Sequence, residues 1–187
     1  MEAEHNRIKA LRDNAVMLYS PDDIHAALDR MAAEIEASLA GTVPVVLVIL
    51  TGGIIPAGHI LTRLSLPLEI DYLHATRYRG STSGDAEVEW ACESRIPLEG
   101  RTVLVIDDIL DEGNTLQTVT DYCRRSGASR VCTAVLIEKH HDRRIPGVAA
   151  DVVGIGVEDR YVFGFGMDYK GYLRNLNGIY ALGPGQQ

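Results

Sequence analysis

VLVIDDILDEGNTL, residues Val103 to Leu116, joins an apolar run to a dense group of acidic side chains. The run VLVI has the β-branched and leucine composition of a strand that is buried on both faces of a parallel sheet. Asp107 and Asp108 follow it directly, at the carboxyl end of the predicted strand, and open α/β sheets bind their ligands at that edge. The segment therefore predicts a parallel α/β sheet with a ligand site that contains carboxylates.

The residues after the strand, DEGNT at 111–115, are predicted to turn into a helix that carries Leu116, Val119 and Cys123 on one face. Backbone amides at such a helix start, loosened by Gly113 and joined by the Thr115 hydroxyl, can hold a phosphate dianion. Adjacent carboxylates can accept hydrogen bonds from the hydroxyls of a sugar. Because the lysine-containing loop GxxxxGK[ST] is absent, the pattern indicates a sugar-phosphate site of another kind.

A purely structural explanation of these acids is also open, because carboxylates favour the positive end of a helix dipole. It accounts for one such residue more readily than for four, Asp107, Asp108, Asp111 and Glu112, within six positions. Four neighbouring carboxylates repel one another unless a sugar or a metal ion offsets the repulsion. Their hard oxygen atoms suit Mg²⁺.

The rest of the chain alternates between helical and strand-like segments. Ser20 and Pro21 are expected to begin a helix as its cap and first residue, and Gly41 to end it. Gly127 is expected to end the helix that follows the acidic turn. Further strands are predicted at 44–50, 68–73, 131–137 and 151–155, with a short helix at 57–64. This order predicts a doubly wound, mainly parallel sheet flanked by helices, in one domain covering residues 1–187.

Composition restricts the class of protein. The 187 residues are 46% hydrophobic and carry a net charge of −8, so they can bury a full core and are not expected to bind nucleic acid nonspecifically. The three cysteines lack CxxC spacing, which favours reduced thiols. Met1 to Val16 is unlike a signal peptide, and the apolar run from Pro44 to Leu50 is too short to cross a bilayer. A soluble, cytoplasmic protein without a membrane or nucleic-acid partner is predicted.

Two longer motifs carry a resemblance to a known family. IDDILDEGNTL, from Ile106 to Leu116, resembles the phosphoribosyl pyrophosphate (PRPP) signature of the type I phosphoribosyltransferases. The segment from Val157 to Leu182 resembles the purine-binding region of the hypoxanthine-guanine branch, and LTGG at 50–53 precedes both. The resemblance implies the type I fold with a small cap formed by the chain termini. It also implies a Mg²⁺-dependent transfer from PRPP to hypoxanthine or guanine, and a homodimer or homotetramer.

The resemblance assigns roles to the acidic segment. Asp111 is the implied general base, which takes the proton from purine N7. Asp107 and Asp108 are implied to hold the ribose hydroxyls and, with Asp168, to contact the metal ion. The phosphate-binding set comprises Glu112, Gly113, Asn114 and Thr115.

For pyrophosphate, the resemblance implies contacts from Thr51, Gly52, Arg77, Tyr78 and Arg174. It further implies a non-proline cis peptide between Thr51 and Gly52. The polar segment RGSTSGDA at 79–86 is interpreted either as a lid over the site or as an ordinary surface loop.

The purine end begins with Lys139, which follows a strand-like segment and should emerge at the same sheet edge. Its ammonium can donate to a 6-oxo group but cannot accept from a 6-amino group, which favours hypoxanthine or guanine. The resemblance implies that Tyr161 stacks on the base, that the Val162 backbone bonds its edge and that Asp168 lies beside it. An ordinary core strand at 161–163 is the alternative. The neighbouring histidines, His140 and His141, are predicted to be surface residues without a role.

Two rival functions remain open from the sequence. A regulator that senses PRPP could share the signature without catalysis, although such a protein would normally carry a nucleic-acid-binding surface. A transferase that uses xanthine or a pyrimidine is the nearer rival, and the residues 139, 161 and 162 separate it from the hypoxanthine-guanine branch.

Overall fold

The structure is a computed structural model that describes residues 2–77 and 88–183, with the backbone alone described at 75–77 and 88–91. It contains four helices and nine strands within these residues. In chain order they are α1 Glu2–Asp13, β1 Val16–Tyr19, α2 Pro21–Leu39, β2 Val45–Leu50, α3 Ile54–Leu61, β3 Glu69–Arg77, β4 Val88–Cys92, β5 Thr102–Leu110, α4 Asn114–Arg125, β6 Arg130–His140, β7 Val152–Glu158, β8 Val162–Phe163 and β9 Ile179–Ala181.

Six strands form the main sheet, in the order β4-β3-β2-β5-β6-β7. Five of them are parallel, and β4 pairs antiparallel to β3 at one edge. In the centre, Val45 of β2 aligns with Val103 of β5, which aligns with Val131 of β6. The predicted, mainly parallel sheet is confirmed, and the acidic segment lies on its central strand.

Both faces of the central strands are buried. Leu104 and Ile106 of β5 pack into the core on the side of α2 and α3, whereas Val103 and Val105 pack on the side of α4. All four of these side chains are fully buried. Helices therefore cover the sheet on both sides, and the predicted doubly wound arrangement is confirmed.

Helix α2 begins as its sequence predicts. The Ser20 hydroxyl accepts a hydrogen bond from the Asp23 backbone N–H, and the Asp23 carboxylate accepts one from the Ser20 N–H at 2.9 Å, with Pro21 as the first helical residue. This reciprocal box satisfies amides that a helix start leaves without partners. Within the described residues, no helix has the length and apolar content that crossing a membrane requires.

Several strands are longer than predicted. β5 continues through Asp107 and Asp108 to Leu110, and β6 continues to His140. The two strands remain paired along this extension, where Asp107 aligns with Val135 and Leu110 with Glu138. The apolar run alone understates the strands because pairing in the sheet holds polar residues extended as well. Helix α3 also begins and ends earlier than predicted, at Ile54 and Leu61.

A second, antiparallel sheet joins the two ends of the chain, in the order β1-β9-β8. Val16 aligns with Ala181, which aligns with Val162 on its other side. The Tyr19 hydroxyl donates to the carbonyl of Gly156, which belongs to the last strand of the main sheet, at 3.0 Å. The predicted small cap from the chain termini is therefore confirmed. Helix α1, which the sequence pattern did not predict, packs Leu11 into this part of the molecule.

Candidate active site

The carboxyl ends of β2, β5 and β6 meet at one edge of the main sheet, where the C-terminal segment closes over them. A cavity of about 410 Å³ opens at this edge. Twelve of the sequence-predicted site residues line it: Thr51, Gly52, Asp107, Asp108, Asp111, Gly113, Thr115, Lys139, Tyr161, Val162, Asp168 and Arg174. Residues separated by more than 120 positions in the chain thus share one cavity.

Some of the predicted site residues lie elsewhere. Glu112 and Asn114 do not line the cavity, and the Asn114 side-chain amide donates to the Glu112 carboxylate at 3.2 Å. Tyr78 and the segment 79–86 are outside the described residues, as is the side chain of Arg77. The expected lid and two of the expected pyrophosphate contacts therefore stay predictions.

The paired acids of β5 are nearly buried, with exposed fractions of 6% for Asp107 and 7% for Asp108. Asp107 accepts a hydrogen bond from the Asp108 backbone N–H at 2.9 Å. Burial raises the pKa of Asp108, while its hydrogen bond with the Asp107 side chain and the charge of Arg174 act in the opposite direction. The Arg174 guanidinium lies 3.9 Å from the Asp108 carboxylate. Asp108 is thus a nearly buried acid that lines the cavity.

The turn after β2 brings backbone against these acids. A Cβ atom at Gly52 would overlap the Asp108 carboxylate, so any larger residue would have to displace that side chain. The cis peptide lies between Leu50 and Thr51, one position earlier than the predicted bond between Thr51 and Gly52. Leu50 is the last residue of β2 and still pairs with His74, so the cis bond joins the strand to the turn.

Asp111 is held by two nitrogen donors. The Lys139 ammonium lies 2.8 Å from its Oδ2, and the His141 Nε2 lies 2.7 Å from its Oδ1. Partial burial acts to raise the pKa of Asp111, but the hydrogen bonds from Lys139 and His141 and the charge of Lys139 outweigh it, so the pKa is lowered. Asp111 is therefore ionised at neutral pH.

His141 departs from the prediction for the two neighbouring histidines. Its side chain is 4% exposed, whereas the side chain of His140 is 67% exposed. His140 is the last residue of β6, and His141 is the first residue of the turn after it, where its ring reaches Asp111 as the Lys139 side chain does. The prediction of a surface residue is wrong for His141. Its spacing of two from Lys139 was the available signal.

The phosphate cradle predicted after β5 has the expected backbone. Gly113 has φ 96° and precedes helix α4, whose first residue is Asn114. Thr115, in the first turn of α4, lines the cavity. Amides at the start of a helix point out of it and favour anions, as does the helix dipole. This end of the cavity suits a phosphate group.

The opposite side of the cavity comes from the C-terminal segment. Tyr161 is 46% exposed, and its hydroxyl donates to the Asp168 carbonyl at 3.2 Å. Val162 begins the short strand β8 and is buried, as is Phe163, so the segment 161–163 belongs partly to the core and partly to the cavity wall. Met167 also lines this wall and was missed by sequence reasoning.

Arg174 ties this segment to the sheet edge. Its guanidinium donates to the Gly166 carbonyl at 2.6 Å and lies 2.8 Å from the Asp168 carboxylate, while also facing Asp108. Asp168 also accepts from the Gly171 N–H at 2.7 Å. A cation and two acids thus stand together where a charged ligand group could replace one of the pairings.

The carboxylates at the cavity are compatible with Mg²⁺ only if the substrate supplies further ligands. Within residues 2–77 and 88–183, no group of three or more His, Cys, Asp or Glu side chains is arranged to hold a metal ion. Mg²⁺ is commonly bound by one or two carboxylates together with substrate phosphates and water, which requires no such group. The oxygen atoms of Asp107, Asp108 and Asp168 at the cavity fit a Mg²⁺ ion of that kind.

The chain is an α/β protein whose helix-start amides and nearly buried carboxylates, side by side in one cavity, suit a phosphorylated sugar. The chain belongs to the phosphoribosyltransferase family, because the model of the phosphoribosyl transferase domain matches residues 18–170. The fold is accordingly the type I phosphoribosyltransferase fold. Enzymes of this family bind PRPP and a base and generally depend on Mg²⁺.

Individual relatives agree with this assignment. The chain is 32% identical over 162 residues to a hypoxanthine-guanine-xanthine phosphoribosyltransferase of Tritrichomonas foetus, covering 86% of this chain and 87% of that protein. A crystal structure of a hypoxanthine phosphoribosyltransferase from Staphylococcus aureus has a TM-score of 0.86 at 27% identity, covering 94% of this chain and 95% of that one.

One further relative is a longer protein. The chain is 31% identical over 183 residues to the bifunctional protein TilS/HprT of Listeria innocua, and the match covers 98% of this chain. The match spans only 27% of that protein's length.

Proposed function

We propose that this chain transfers the 5-phosphoribosyl group from PRPP to hypoxanthine or guanine, giving IMP or GMP and pyrophosphate. The observation that carries the proposal is the pair of Lys139 and Asp111, 2.8 Å apart, between the phosphate cradle and Tyr161. This pair offers a hydrogen-bond donor for a 6-oxo group beside a carboxylate that can take a proton. The names of the relatives from T. foetus and S. aureus support the same substrate class.

PRPP is proposed to bind along the sheet edge with its 5-phosphate at the start of α4. The amides after Gly113 and the Thr115 hydroxyl would receive the phosphate, and Glu112 and Asn114 would shape the turn from outside the cavity. Asp107 and Asp108 would accept hydrogen bonds from the ribose hydroxyls. The ribose hydroxyls would donate hydrogen bonds to these two carboxylates, which burial largely shields from water.

The pyrophosphate group is proposed to lie between the turn after β2 and Arg174. Thr51 and Gly52 would present backbone amides, and Arg77 and Tyr78 are proposed as further pyrophosphate contacts. Mg²⁺ bound with PRPP, contacting Asp107, Asp108 and Asp168, would neutralise charge on the leaving pyrophosphate. Arg174 would then exchange its pairing with Asp168 for the pyrophosphate oxygens.

The purine is proposed to stack on Tyr161 with its 6-oxo group towards Lys139. The half-exposed ring of Tyr161 is held by its hydroxyl bond to the Asp168 carbonyl, so it offers a fixed flat surface. The Val162 backbone and Asp168 would contact the edge of the base. An adenine 6-amino group would meet the ammonium of Lys139 without an acceptor, which disfavours adenine.

Asp111 is proposed as the general base. As N9 bonds to ribose C1′ and the bond from C1′ to pyrophosphate breaks, the purine loses its N7 proton to the Asp111 carboxylate. The free protein holds Asp111 ionised through Lys139 and His141. When Lys139 donates to the 6-oxo group instead, Asp111 loses part of its positive surroundings and binds a proton more readily.

The test is pyrophosphate release by the purified chain with Mg²⁺ and PRPP, using hypoxanthine, guanine, xanthine, adenine, uracil and orotate in separate assays. Turnover with hypoxanthine or guanine, and none with adenine, would support the proposal. Turnover with xanthine or a pyrimidine alone would replace it by the rival transferase. Tight PRPP binding by calorimetry without turnover on any base would favour the sensing regulator.

Other features stay predictions. One phosphoribosyltransferase domain over residues 1–187, a cytoplasmic location and a homodimer or homotetramer rest on the sequence and its resemblance. Sedimentation of the purified chain would measure the oligomeric state.

A further inference from the structure

We infer that His141 is a positioning residue that orients the Asp111 carboxylate for proton transfer. The inference rests on the proposed function, because it gives His141 a role through the proposed base. It starts from a histidine whose side chain is buried beside Asp111 and to which the proposed binding of PRPP and purine assigns no contact.

The hydrogen bonds of the His141 ring define its tautomer. The backbone N–H of Arg143 donates to Nδ1 at 3.1 Å, and a backbone N–H can only donate. Nδ1 therefore carries no proton, and the proton of the neutral ring is on Nε2. That N–H donates to Asp111 Oδ1 at 2.7 Å. The chain itself thus sets which nitrogen faces the carboxylate.

The turn that supplies the Arg143 N–H is anchored on both sides. The Arg143 guanidinium makes two bonds with the Asp159 carboxylate, at 2.6 and 2.9 Å. The Ile145 N–H donates to the Glu112 carbonyl at 2.9 Å, next to Asp111 in the chain. These contacts join the segment after β6 to the acidic turn after β5. These contacts therefore fix the position of His141 relative to Asp111, to which it is hydrogen-bonded.

The two carboxylate oxygens of Asp111 have different partners, and the proposed reaction breaks one of these hydrogen bonds and keeps the other. Lys139 holds Oδ2 and, in the proposed reaction, leaves it for the purine 6-oxo group. His141 holds Oδ1 and makes no bond that the substrate would require it to break. During the reaction His141 is then the side chain that fixes the plane of the carboxylate. A base must hold its acceptor within hydrogen-bond reach of the proton that it takes.

The test compares two variants of similar size with a neighbouring control. His141→Leu removes the donor, whereas the amide of His141→Gln can still donate to Asp111. We expect His141→Leu to lower kcat roughly 10- to 100-fold with little change in KM for PRPP or purine, as for loss of a hydrogen bond to a charged group. His141→Gln should recover most of kcat, and the exposed control His140→Leu should match the unsubstituted protein.

A second readout does not depend on turnover. The ¹⁵N chemical shifts of the His141 ring in the free protein should report a proton on Nε2, and Asp111→Asn should move the Nε2 shift. Unchanged kcat in His141→Leu, or equal loss in the Leu and Gln variants, would overturn the inference while leaving the proposed function standing. A proton on Nδ1 would overturn it even where the Leu variant fails to fold. If the unsubstituted protein released no pyrophosphate, the proposed function and the positioning role of His141 would both fail. The ¹⁵N shifts of the His141 ring would still report its hydrogen bond to Asp111.

Discussion

Asp111 illustrates how a single side chain acquires its properties from two others. Its two hydrogen-bond donors, Lys139 and His141, come from the strand next to its own and the turn that follows it, and they lower its pKa although partial burial acts the other way. A carboxylate with a lowered pKa is a weak base. The proposed withdrawal of Lys139 on substrate binding would make Asp111 a stronger base during proton transfer. Substrate recognition and proton transfer would then be coupled through one ammonium group.

At this scale, Asp111→Asn is predicted to lower kcat about 10²- to 10⁴-fold, the usual contribution of a general base. The amide preserves shape but cannot take the N7 proton. PRPP affinity, measured by calorimetry, should be largely retained because the cradle and the β5 acids are unchanged. Equal losses of turnover and PRPP binding would mean that Asp111 has a structural role instead.

Tyr161→Ala is predicted to weaken purine binding roughly 10- to 100-fold, since base stacking on an aromatic ring is worth about 1–3 kcal/mol. PRPP binding should change much less. Tyr161→Phe is the matched control, because it keeps the ring and loses only the hydroxyl bond to Asp168. If the alanine variant bound purine as tightly as the phenylalanine variant, Tyr161 would not be the stacking surface.

At the scale of elements, the unit of β5, turn and α4 places acids and amides within one short segment. β5 keeps its sheet pairing through Leu110, and α4 begins at Asn114, so only three residues connect them. A connection this short needs a backbone that reverses sharply. Gly113 supplies it with φ 96°.

Gly113→Ala is predicted to destabilise the fold by about 1–3 kcal/mol, the usual cost of a side chain in this backbone region. A Cβ there would also lie 2.8 Å from the Val148 side chain. Thermal unfolding should show a lower Tm, and PRPP affinity should fall because the amides shift. Gly58→Ala is the control, since nothing lies within 4 Å of its added Cβ and its Tm should not fall. Equal Tm values for both variants would contradict the strain argument.

A different acid, Asp71, fixes the segment that connects β4 to β5 through hydrogen bonds. The Asp71 carboxylate of β3 accepts from the Ser94 hydroxyl and from the backbone N–H groups of Arg95 and Ile96. Burial acts to raise the pKa of Asp71, but these bonds and one from the Tyr72 N–H outweigh it, so the pKa is lowered. A single carboxylate thus holds three consecutive residues of the connection.

Asp71→Asn is predicted to lower the free energy of unfolding at pH 7. A group with a lowered folded pKa adds stability above its unfolded pKa and loses it as pH falls through the folded pKa. The difference between Asp71→Asn and the unsubstituted protein should therefore shrink below the ordinary carboxyl range. Denaturant unfolding at pH 7 and at successively lower pH measures it, and a difference independent of pH would argue against the charged-acceptor role.

At the scale of the whole molecule, two cores on opposite faces of the sheet hold one thiol each. Cys132 lies in the core on the α2 side and Cys123 in the core on the α4 side. Burial raises the pKa of Cys123 to about 11 and raises that of Cys132 as well. Cys92 is only partly buried. The three thiols can therefore report on different parts of the fold.

Alkylation with iodoacetamide at pH 8 is predicted to modify Cys92 rapidly in the folded protein and the two buried thiols only through unfolding. Peptide mass spectrometry over time would resolve the three rates. Cys92→Ser should remove the fast phase alone. Rapid labelling of Cys123 under native conditions would show that the α4 face opens locally.

The cap shows what chain topology adds at this scale. β1 and β9 come from opposite ends of the chain and pair with each other, and the C-terminal segment carries Tyr161, Asp168 and Arg174 to the sheet edge. Arg174, which lies between β8 and β9 in the chain, is 3.9 Å from the Asp108 carboxylate of β5. From the sequence these residues could be grouped with the acidic segment only through a family resemblance, because they lie far from it in the chain.

Local patterns in the sequence determined the buried parallel strands, the capped start of α2, the glycine turn before α4 and the acids at the end of β5, because these depend on neighbouring residues and on periodicity. Tertiary structure decided how far each strand extends, since pairing in the sheet keeps Asp107 and Asp108 extended beyond the apolar run. It also decided which histidine is buried. Lys139 and His141 reach Asp111 because two parallel strands end side by side, a distance relation that no segment of the chain contains by itself.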